Sequence, residues 1–347
     1  LIGGGGSGVK MDDGTLVFPL EGTKTDGTGK DEKTVFLVLY LQDTKSWTLS
    51  KGMSADGCSD PSVVEWEKDK LMMMTACGDG RRRVYEIGDK GTTWTEALGA
   101  LSRVWGRKHK GEAKVVGSGL ITMNLGDGDE QKNVMLVTLP VYSEEKENGE
   151  KGELHLWLTD NTHIVDIGPV SGKDDDAAAS ALLYKSGTDG NNKKEELIAL
   201  YEKKKGDGEK PSPGMVSVLL TEQLQRVKEV LATWKEVDER VSELCPSESA
   251  VQARSTDSAC KNTKITAGLV GFLSGNFSEN TWRDEYLGVN ATVKKAEEGA
   301  PAETAGSSDG VKFTGRGAWA EWPVGSQGEN ELYHFANYNF TLVATVS

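Results

Sequence analysis

The sequence predicts a mainly β protein in which one long α-helix separates two β regions. From residue 15 to 218, short runs such as "KTVFLVLYL" and "NVMLVTLPV" alternate with separators rich in Gly, Asp, Asn and Lys, as strands joined by hairpin loops do. Between 219 and 245 the apolar residues recur at steps of three and four, which is the period of a helix. Because many short strands follow one another without intervening helices, we expect a sandwich, a barrel or a propeller.

The bulk composition limits the possible functions. The chain has 347 residues, enough for two domains, and a formal net charge of −14. This acidic balance argues against a nucleic-acid partner, because phosphate contacts need a surplus of Lys and Arg. The four cysteines form no CxxC motif and the four histidines show no HExxH or other metal-ligand spacing, so we expect no metal and no cofactor.

The first β region opens with "GGGGSG" at residues 3–8, which matches the G-x-G-x-x-G pattern of dinucleotide-binding loops. Such a loop needs a helix after its last glycine, whereas the next residues, "VKMDDGTLVFP", have the pattern of a turn and a strand. We therefore interpret the stretch as a glycine-rich turn.

The turn "GDKGTTW" has the residue order of an Asp box, with Asp89, Gly91, Thr93 and Trp94 in the characteristic places. In such a turn the aspartate bonds back to the turn, the glycine takes a positive φ, and the tryptophan packs onto the sheets below. The stretches "QDTKSW" and "LTDNTHI" are weaker copies. Repeated Asp boxes favour propeller blades among the three architectures, and they mark the fold rather than a catalytic site.

The helix predicted over 219–245 has one apolar stripe, which runs from Leu220 through Trp234 to Leu244. We expect Leu231 and Trp234 to be its buried anchors. A single long helix after an all-β region is typical of a spacer packed between domains, and a helix that binds a partner is the alternative.

A polar segment rich in Ser, Thr and Lys follows at 246–264, and strand patterns resume over 265–347. A disulfide between Cys245 and Cys260 would close a loop without structure of its own, which fits an oxidising compartment. Two free thiols are the alternative. The glycosylation sequons at Asn276, Asn290 and Asn339 also favour the secretory pathway.

The two ends of the sequence carry no targeting signals. No signal peptide opens it, no apolar run is long enough to span a bilayer, and no lipid-anchor signal closes it. The chain starts without Met and stops within a predicted strand, so we expect it to be a fragment of a longer protein.

Several stretches resemble the trypanosomal trans-sialidase superfamily: "GCSDPSVVEWE", "RRRVYE", "LHLWLTDN", "GLVGFLSGNFSENTWRDEYLGVNATV" and "YHFANYNFTLVATVS". Members of that family are surface glycoproteins with a six-bladed sialidase β-propeller, a long connecting helix and a lectin-like, concanavalin-type β-sandwich. The resemblance therefore implies an incomplete propeller over 1–218, the helix over 219–245, a linker over 246–264 and an incomplete sandwich over 265–347.

The enzymes of this family hold the carboxylate of sialic acid with three arginines and attack the sugar with a tyrosine that a glutamate activates. The resemblance places Glu65 at the glutamate and Arg81 at the second arginine, with Arg82 as the alternative register. It places Lys151 at the third arginine and Ala179 at the nucleophilic tyrosine. An alanine cannot form a glycosyl bond and a lysine lacks the planar fork of arginine, so the resemblance implies a carboxylate-binding site without covalent catalysis.

These observations lead to one functional hypothesis and two rivals. The first is a catalytically degenerate, lipid-anchored surface glycoprotein that binds sialylated host-cell glycans, or host surface and matrix proteins, in adhesion. One rival is an active exo-α-sialidase or trans-sialidase in which a slip of the alignment conceals the nucleophile, with Tyr184 as the residue to test. The other is a truncated product without a stable fold, because missing blades would leave open sheet edges.

Overall fold

A computed structural model of the chain describes residues 1–3, 6–25, 32–42, 46–78, 82–96, 116–126, 131–142, 152–173, 175–189, 192–204, 213–243, 268–294, 302–304, 310–314, 317–322 and 341–344. Within these ranges the protein is mainly β with one α-helix, as the sequence predicts. The chain divides into two compact units, of which the first comprises Leu1–Asn161, Asp166–Leu224 and Ser326–Ser347, and the second Thr162–Val165 and Gln225–Gly325.

Four antiparallel sheets follow one another along the described part of the chain up to residue 219. The first sheet contains β1 (Ile2–Gly3), β2 (Val9–Lys10), β3 (Leu16–Thr25), β4 (Glu32–Leu41) and β5 (Trp47–Leu49). The second contains β6 (Cys58–Glu67), β7 (Lys70–Cys77), β8 (Arg82–Gly88) and β9 (Thr93–Glu96). The third contains β10 (Leu120–Leu125), β11 (Lys132–Tyr142), β12 (Gly152–Thr159) and β13 (Ile164–Pro169), and the fourth contains β14 (Asp176–Asp189), β15 (Asn192–Lys204) and β16 (Pro213–Leu219).

Each sheet packs face to face on the sheet before it, and the first strand of the second, third and fourth sheets makes the contact. β6 packs against β3 and β4, β10 packs against β6, and β14 packs against β10, β11 and β12. Phe36, Met73 and Ile87 belong to one buried cluster between the first and second sheets. All residues of β7 from Leu71 to Cys77 are buried, because this strand is covered on both faces, which explains its continuous apolar run.

A disulfide that the sequence reasoning did not assign closes one end of the second sheet. It joins Cys58, the first residue of β6, to Cys77, the last residue of β7, which is its direct partner in the antiparallel register. Both cysteines are buried. The predicted partners Cys245 and Cys260 lie outside the described residues, so their pairing stays a prediction.

On the third sheet, His155 connects β12 to the edge strand β13. Its Nδ1–H donates to Asp166, with 2.8 Å to Oδ2, and its Nε2 lies 3.5 Å from a carboxylate oxygen of Glu153. Burial lowers the pKa of His155, but the hydrogen bonds and negative charges of Asp166 and Glu153 outweigh it, and the net pKa is raised. The hydrogen bond between His155 and Asp166 therefore ties β13 to its neighbour, and it is stronger when the ring is protonated.

The helix α1 spans Thr221–Glu243, inside the segment that the periodicity predicts. Its buried stripe contains Val227, Val230, Trp234, Val237 and Val241. Trp234 is fully buried as expected, whereas Leu231 is only half-buried, so its prediction as a second anchor was wrong. Leu231 follows Val230 by about 100° around the helix, which turns it away from the centre of the stripe. Across the described residues, no helix combines the length and the apolarity that crossing a bilayer demands.

Aromatic side chains form the core of the second unit. Trp234 Nε1–H donates to the carbonyl oxygen of Tyr286 at 2.8 Å, and the His163 ring stacks on Tyr286 with 4.4 Å between the ring centroids. The described strands of this unit are β17 (Leu273–Ser278), β18 (Thr281–Asp284), β19 (Ala291–Lys294) and β22 (Trp319–Glu321) in one sheet, and the pair β20 (Ala302–Thr304) and β21 (Val311–Phe313). The predicted sandwich stays a prediction.

Candidate functional site

The turn between β8 and β9 is built by the Asp-box residues. Thr93 Oγ1 donates to Asp89 Oδ2 at 2.7 Å, and Trp94 Nε1–H donates to the carbonyl oxygen of Gly91 at 3.1 Å. Gly91 has a φ of +78°, and a Cβ there would lie 2.5 Å from the Cβ of Ser50, so glycine is required. These polar groups bind one another, which is a structural role.

Glu65 lies at the end of β6 that leads into the turn to β7. Its Oε2 accepts the backbone N–H of Asp12 at 2.8 Å. Its register partner is Leu71, which in turn pairs with Ile87. Leu71 and Ile87 belong to the cluster buried against the first sheet, and directly paired residues share a face, so Glu65 also faces the first sheet.

Arg82 and Arg83 begin β8 at the other end of the same sheet. Along β8, Arg82 is separated from the Ile87 position by roughly 17 Å, at about 3.4 Å per residue. Because side chains alternate, Arg83 shares the face of Ile87, and Arg82 faces the third sheet. Arg82 Nη2 donates to the carbonyl oxygen of Val116 at 3.2 Å, whereas Arg83 Nη1 forms a 3.2 Å ion pair with Glu96.

The segment 116–119, which precedes β10, is the place where the second, third and fourth sheets meet. Ser62 of β6 donates its Oγ hydrogen to the carbonyl oxygen of Ser118 at 2.7 Å. The backbone N–H of Ser180 in β14 donates to the carbonyl oxygen of Gly117 at 2.9 Å. With the bond from Arg82, this segment receives three contacts from two different sheets.

Hydroxyl groups line the same segment. Thr138 Oγ1 accepts the backbone N–H of Gly119 at 3.0 Å and lies 2.9 Å from Ser180 Oγ. A Cβ on Gly119 would lie 2.6 Å from Thr138 Oγ1, so glycine allows the close approach. Ser118 Oγ is buried and has no hydrogen-bond partner among the described residues.

Ala179 lies in a β-bulge of β14, beside the segment 116–119. Ala177 pairs with Lys203 and Ser180 pairs with Tyr201, so two residues of β14 oppose one residue of β15. Ala179 is half-buried, and a Cβ built on Gly117 would lie 3.8 Å from the Cβ of Ala179. The predicted nucleophile position therefore borders this meeting point of sheets.

The structure does not bring Glu65 and Ala179 together. Glu65 faces the first sheet at the turn end of β6, whereas Ala179 borders a segment that meets the opposite face of the second sheet near Ser62. Arg82 is the described arginine that contacts that segment. The family resemblance gave Arg82 only as the alternative to Arg81. Glu65 and the segment 116–119 therefore lie on opposite faces of the second sheet.

Several predicted residues lie outside the described ranges. These are Arg81, Lys151, Cys245, Cys260 and Asn339. Their roles in ligand binding, cross-linking and glycosylation stay predictions.

Asp60 is a carboxylate that the sequence reasoning missed. Ser59 and Ser62 pair with residues of β7 that are only two positions apart, so Asp60 and Pro61 form a second bulge, and Asp60 has a φ of +54°. This bulge lies at the end of β6 that carries Ser62. Proline inside a strand marks a bulge, and bulges are frequent next to functional sites, so the Asp-Pro pair within "CSDPSVVEWE" was the available signal.

The described tyrosines near β14 form pairs with other carboxylates. Tyr184 Oη donates to Glu195 at 2.7 Å, and Tyr201 Oη donates to Asp175 at 2.7 Å. Tyr184 lies roughly 17 Å along β14 from Ala179. Tyr201 is buried. Both hydroxyls thus donate to carboxylates, Tyr184 to Glu195 and Tyr201 to Asp175.

Two of the three sequons are described. Asn276 is exposed on β17, where a glycan has room. Asn290 is half-buried, and its Oδ1 accepts the backbone N–H of Asp284 at 2.9 Å. Burial raises the pKa of Asp284 above its ordinary value, although its oxygens accept backbone N–H groups.

The segment 116–119 brings together several groups that form hydrogen bonds. It combines a guanidinium and several hydroxyls, which are groups that hold a polyhydroxylated anion. Among the described residues, no group of three or more His, Cys, Asp and Glu side chains is placed to hold a metal ion.

Family comparisons match both parts of the chain. A BNR repeat-like domain matches residues 1–202, and the trans-sialidase C-terminal domain matches residues 265–347. Sialidase 85-1.1 of Trypanosoma cruzi is 34% identical over 349 residues, which cover 99% of this chain and 40% of that protein. A second T. cruzi sialidase is 31% identical over 350 residues, which cover 100% of this chain and 27% of that protein.

Solved structures give the same result. Trypanosoma rangeli sialidase superposes with a TM-score of 0.74 at 34% identity, covering 97% of this chain and 48% of that one. The same sialidase in complex with sialic acid superposes with a TM-score of 0.72 over the same coverage. The chain thus spans less than half the length of these relatives. It belongs to the sialidase and trans-sialidase family known from Trypanosoma.

Proposed function

We propose that this chain is part of a catalytically degenerate sialidase-like protein that binds sialylated glycans without cleaving them. The observation that carries the proposal is Ala179, which holds a methyl group in the bulge where the family resemblance expects a tyrosine. A methyl group cannot attack a sugar, so the covalent step of retaining sialidases is lost at this position.

The groups around the segment 116–119 support an acidic sugar as the ligand. The guanidinium of Arg82 has the planar fork that matches a carboxylate. Ser118 Oγ is buried and makes no hydrogen bond among the described residues, so a ligand oxygen could bond to it. T. rangeli sialidase, a relative at 34% identity, has been solved with sialic acid bound. That precedent supports the same ligand class here.

We propose that the four sheets before α1 are blades of a six-bladed propeller. The two end sheets of the series expose apolar faces: Leu183, Met215 and Leu219 of the fourth sheet are 60%, 61% and 57% exposed, and Phe18 and Trp47 of the first are 40% and 49% exposed. Such faces are covered when further blades complete a ring. The match of residues 265–347 to the trans-sialidase C-terminal domain supports a concanavalin-like sandwich there.

We propose that the longer protein is a lipid-anchored glycoprotein of the cell surface. Support comes from the exposed sequon at Asn276 and from the Cys58–Cys77 disulfide, since disulfides persist in oxidising compartments. Adhesion to sialylated host-cell glycans, or to host surface and matrix proteins, is the role that fits a binding site without turnover.

The test is a pair of measurements on one preparation of the protein. We expect no hydrolysis of a fluorogenic sialoside, together with saturable binding of sialyllactose by calorimetry. The substitution Ala179→Tyr is the control for position 179, because it introduces the tyrosine that the family resemblance expects there and leaves Tyr184 unchanged. Turnover by the unmodified protein would contradict the proposal.

An active sialidase is the second candidate, and the hydrogen bond between Tyr184 and Glu195 is the observation that favours it. A tyrosine activated by a carboxylate is the nucleophile of retaining sialidases. If this pair is catalytic, Tyr184→Phe abolishes hydrolysis, whereas Tyr201→Phe leaves it in place. If the unmodified protein does not hydrolyse the sialoside, the active-sialidase candidate is discarded.

A truncated product without a stable fold is the remaining rival. Cooperative thermal unfolding of soluble protein with this sequence would exclude it. Non-cooperative unfolding, with exposed apolar surface at all temperatures, would support it.

A further inference from the structure

The two described glycosylation sequons lie side by side on one sheet of the second unit. Asn276-Phe-Ser ends β17, and Asn290-Ala-Thr leads into β19. Their hydroxyl residues, Ser278 and Thr292, are both register partners of Thr281 in β18, the strand between them. At about 4.8 Å between neighbouring strands, the two sequons are about 10 Å apart.

Arg283 shows where the two asparagines lie relative to each other. Trp282 of β18 pairs with the middle residue of each sequon. Because neighbouring strands run antiparallel, the next residue of β18, Arg283, lies beside the asparagine of each sequon. Arg283 and Asn276 are exposed, and Asn290 is half-buried. The two asparagines therefore flank one exposed guanidinium.

The side-chain amide of Asn290 has a defined orientation. Its Oδ1 accepts the backbone N–H of Asp284 at 2.9 Å, whereas its Nδ2 forms no hydrogen bond within the described part of the chain. Asn133, which belongs to no sequon, instead donates its Nδ2–H to the carbonyl oxygen of Trp66 at 2.6 Å. Since N-linked sugars are attached to Nδ2, the fold of Asn290 engages the oxygen and leaves the atom that is modified.

We propose that Asn276 and Asn290 both carry N-linked oligosaccharides, which together cover this face of the sheet and close it to protein partners. The donor is a lipid-linked oligosaccharyl pyrophosphate of the secretory pathway. A bond forms between Nδ2 and C1 of the first sugar, and the bond from C1 to the pyrophosphate oxygen breaks. The lipid pyrophosphate leaves with the electron pair, and Nδ2 loses one proton. This inference rests on the proposed secretory route and is independent of ligand binding at the segment 116–119.

The position of β17 gives the first oligosaccharide a further role. In the described sheet, whose order is β17-β18-β19-β22, β17 is an edge strand. An edge strand presents backbone N–H and C=O groups to which another chain can pair. A bulky, hydrated group on Asn276 hinders such pairing, so the oligosaccharide protects an edge as well as a face.

The test is glycopeptide mass spectrometry of the chain secreted from eukaryotic cells. We expect oligosaccharides on both Asn276 and Asn290, and an unmodified asparagine at either position would overturn the proposal. Thr292→Val and Asn290→Gln should each remove the second oligosaccharide. Only Asn290→Gln also removes the hydrogen bond to Asp284, so it should melt about 2–8 °C below Thr292→Val. Equal melting temperatures would contradict the orientation of the Asn290 amide.

A second measurement tests whether the oligosaccharides cover the face. The double variant Ser278→Ala with Thr292→Val loses both sequons and keeps both asparagines. A dicarbonyl reagent, which modifies exposed guanidinium groups, should react with Arg283 several-fold faster in this variant than in the glycosylated protein. The control is Arg226 of α1, whose side chain is 47% exposed and which should react at the same rate in both proteins. Equal rates at Arg283 would overturn the covering role.

Two arrangements keep the result clear. If the double variant is not secreted, an endoglycosidase that trims each oligosaccharide to its first sugar takes its place, with the same expected increase at Arg283. Sialyllactose binding by a chain that carries no oligosaccharide would overturn this inference alone. Oligosaccharides at both positions without sialyllactose binding would support this inference and contradict only the proposed glycan-binding site.

Discussion

The two arginines at the start of β8 offer the sharpest comparison that the structure allows. Arg82 faces the segment 116–119 and bonds to Val116, whereas Arg83 faces the first sheet and pairs with Glu96. We expect Arg82→Ala to weaken the binding of sialyllactose and Arg83→Ala to leave it unchanged. The two changes remove the same side chain from neighbouring positions, so each is the control for the other.

The expected magnitude follows from the contacts of each guanidinium. Removal of a charge-assisted hydrogen bond to a ligand carboxylate costs about 1.5–3 kcal/mol, which corresponds to roughly ten- to 150-fold in affinity. The Arg83 pair, with side chains 29% and 24% exposed, contributes about 1 kcal/mol or less to folding stability. Loss of the bond from Arg82 to Val116 costs a similar amount. The two variants should therefore unfold at similar temperatures and differ in affinity.

Calorimetric titration with sialyllactose and thermal unfolding of both variants are the required measurements. The variant Arg82→Lys should bind with intermediate affinity, because it keeps the charge and loses the planar fork. If Arg83→Ala weakens binding as much as Arg82→Ala, the assignment of opposite faces to the two side chains fails. If neither change alters binding, Arg82 has no part in the site.

Three further predictions concern stability. His155→Gln should lower the melting temperature below pH 6 and have little effect at pH 9. The pKa of His155 is raised in the folded protein, so its contribution to the free energy of unfolding is fully present below the pKa that the residue has in the unfolded chain. That contribution is lost as the pH rises through the pKa of the folded state. A difference in melting temperature that does not depend on pH would contradict this prediction. Gly91→Ala should lower the free energy of unfolding in denaturant by more than about 1 kcal/mol, because the φ of Gly91 is +78° and the space for a Cβ is filled. Gly88→Ala is the control and should be nearly neutral, because nothing lies within 4 Å of a Cβ at that position. Equal effects of the two substitutions would refute the turn geometry. Trp234→Ala should destabilise the second unit by about 3–5 kcal/mol, through lost packing and a lost hydrogen bond, and an unchanged melting profile would count against its central place in that core.

Local pattern was sufficient for most secondary structure. The apolar run "KLMMMTAC" is a strand buried on both faces, and the stripe through Trp234 is a helix, because strand and helix periods are written directly into the order of side chains. The interpretation of Leu231 as a second anchor failed for a related reason. A stripe has a centre and edges, and only the packing partner decides how far burial extends around the helix.

The candidate site was predicted less well, because it depends on register and facing. Glu65 and Arg82 lie on the same sheet, yet strand alternation and strand length place them on opposite faces and at opposite ends. The Cys58–Cys77 disulfide likewise depends on the antiparallel register of β6 and β7, which brings together two residues 19 positions apart. No spacing rule along the chain contains that information.

By itself, the sequence determined the order of strands and helix, the Asp-box turn and the alanine at position 179, since each is a property of neighbouring residues or of a single side chain. Only the tertiary structure decided that Ser62, Arg82 and Ala179 approach one segment, 116–119, and that Glu65 faces the first sheet instead. The physical reason is that a strand alternates its faces with every residue, so a shift of one position, or a bulge of one residue, moves a side chain from one interface to the other.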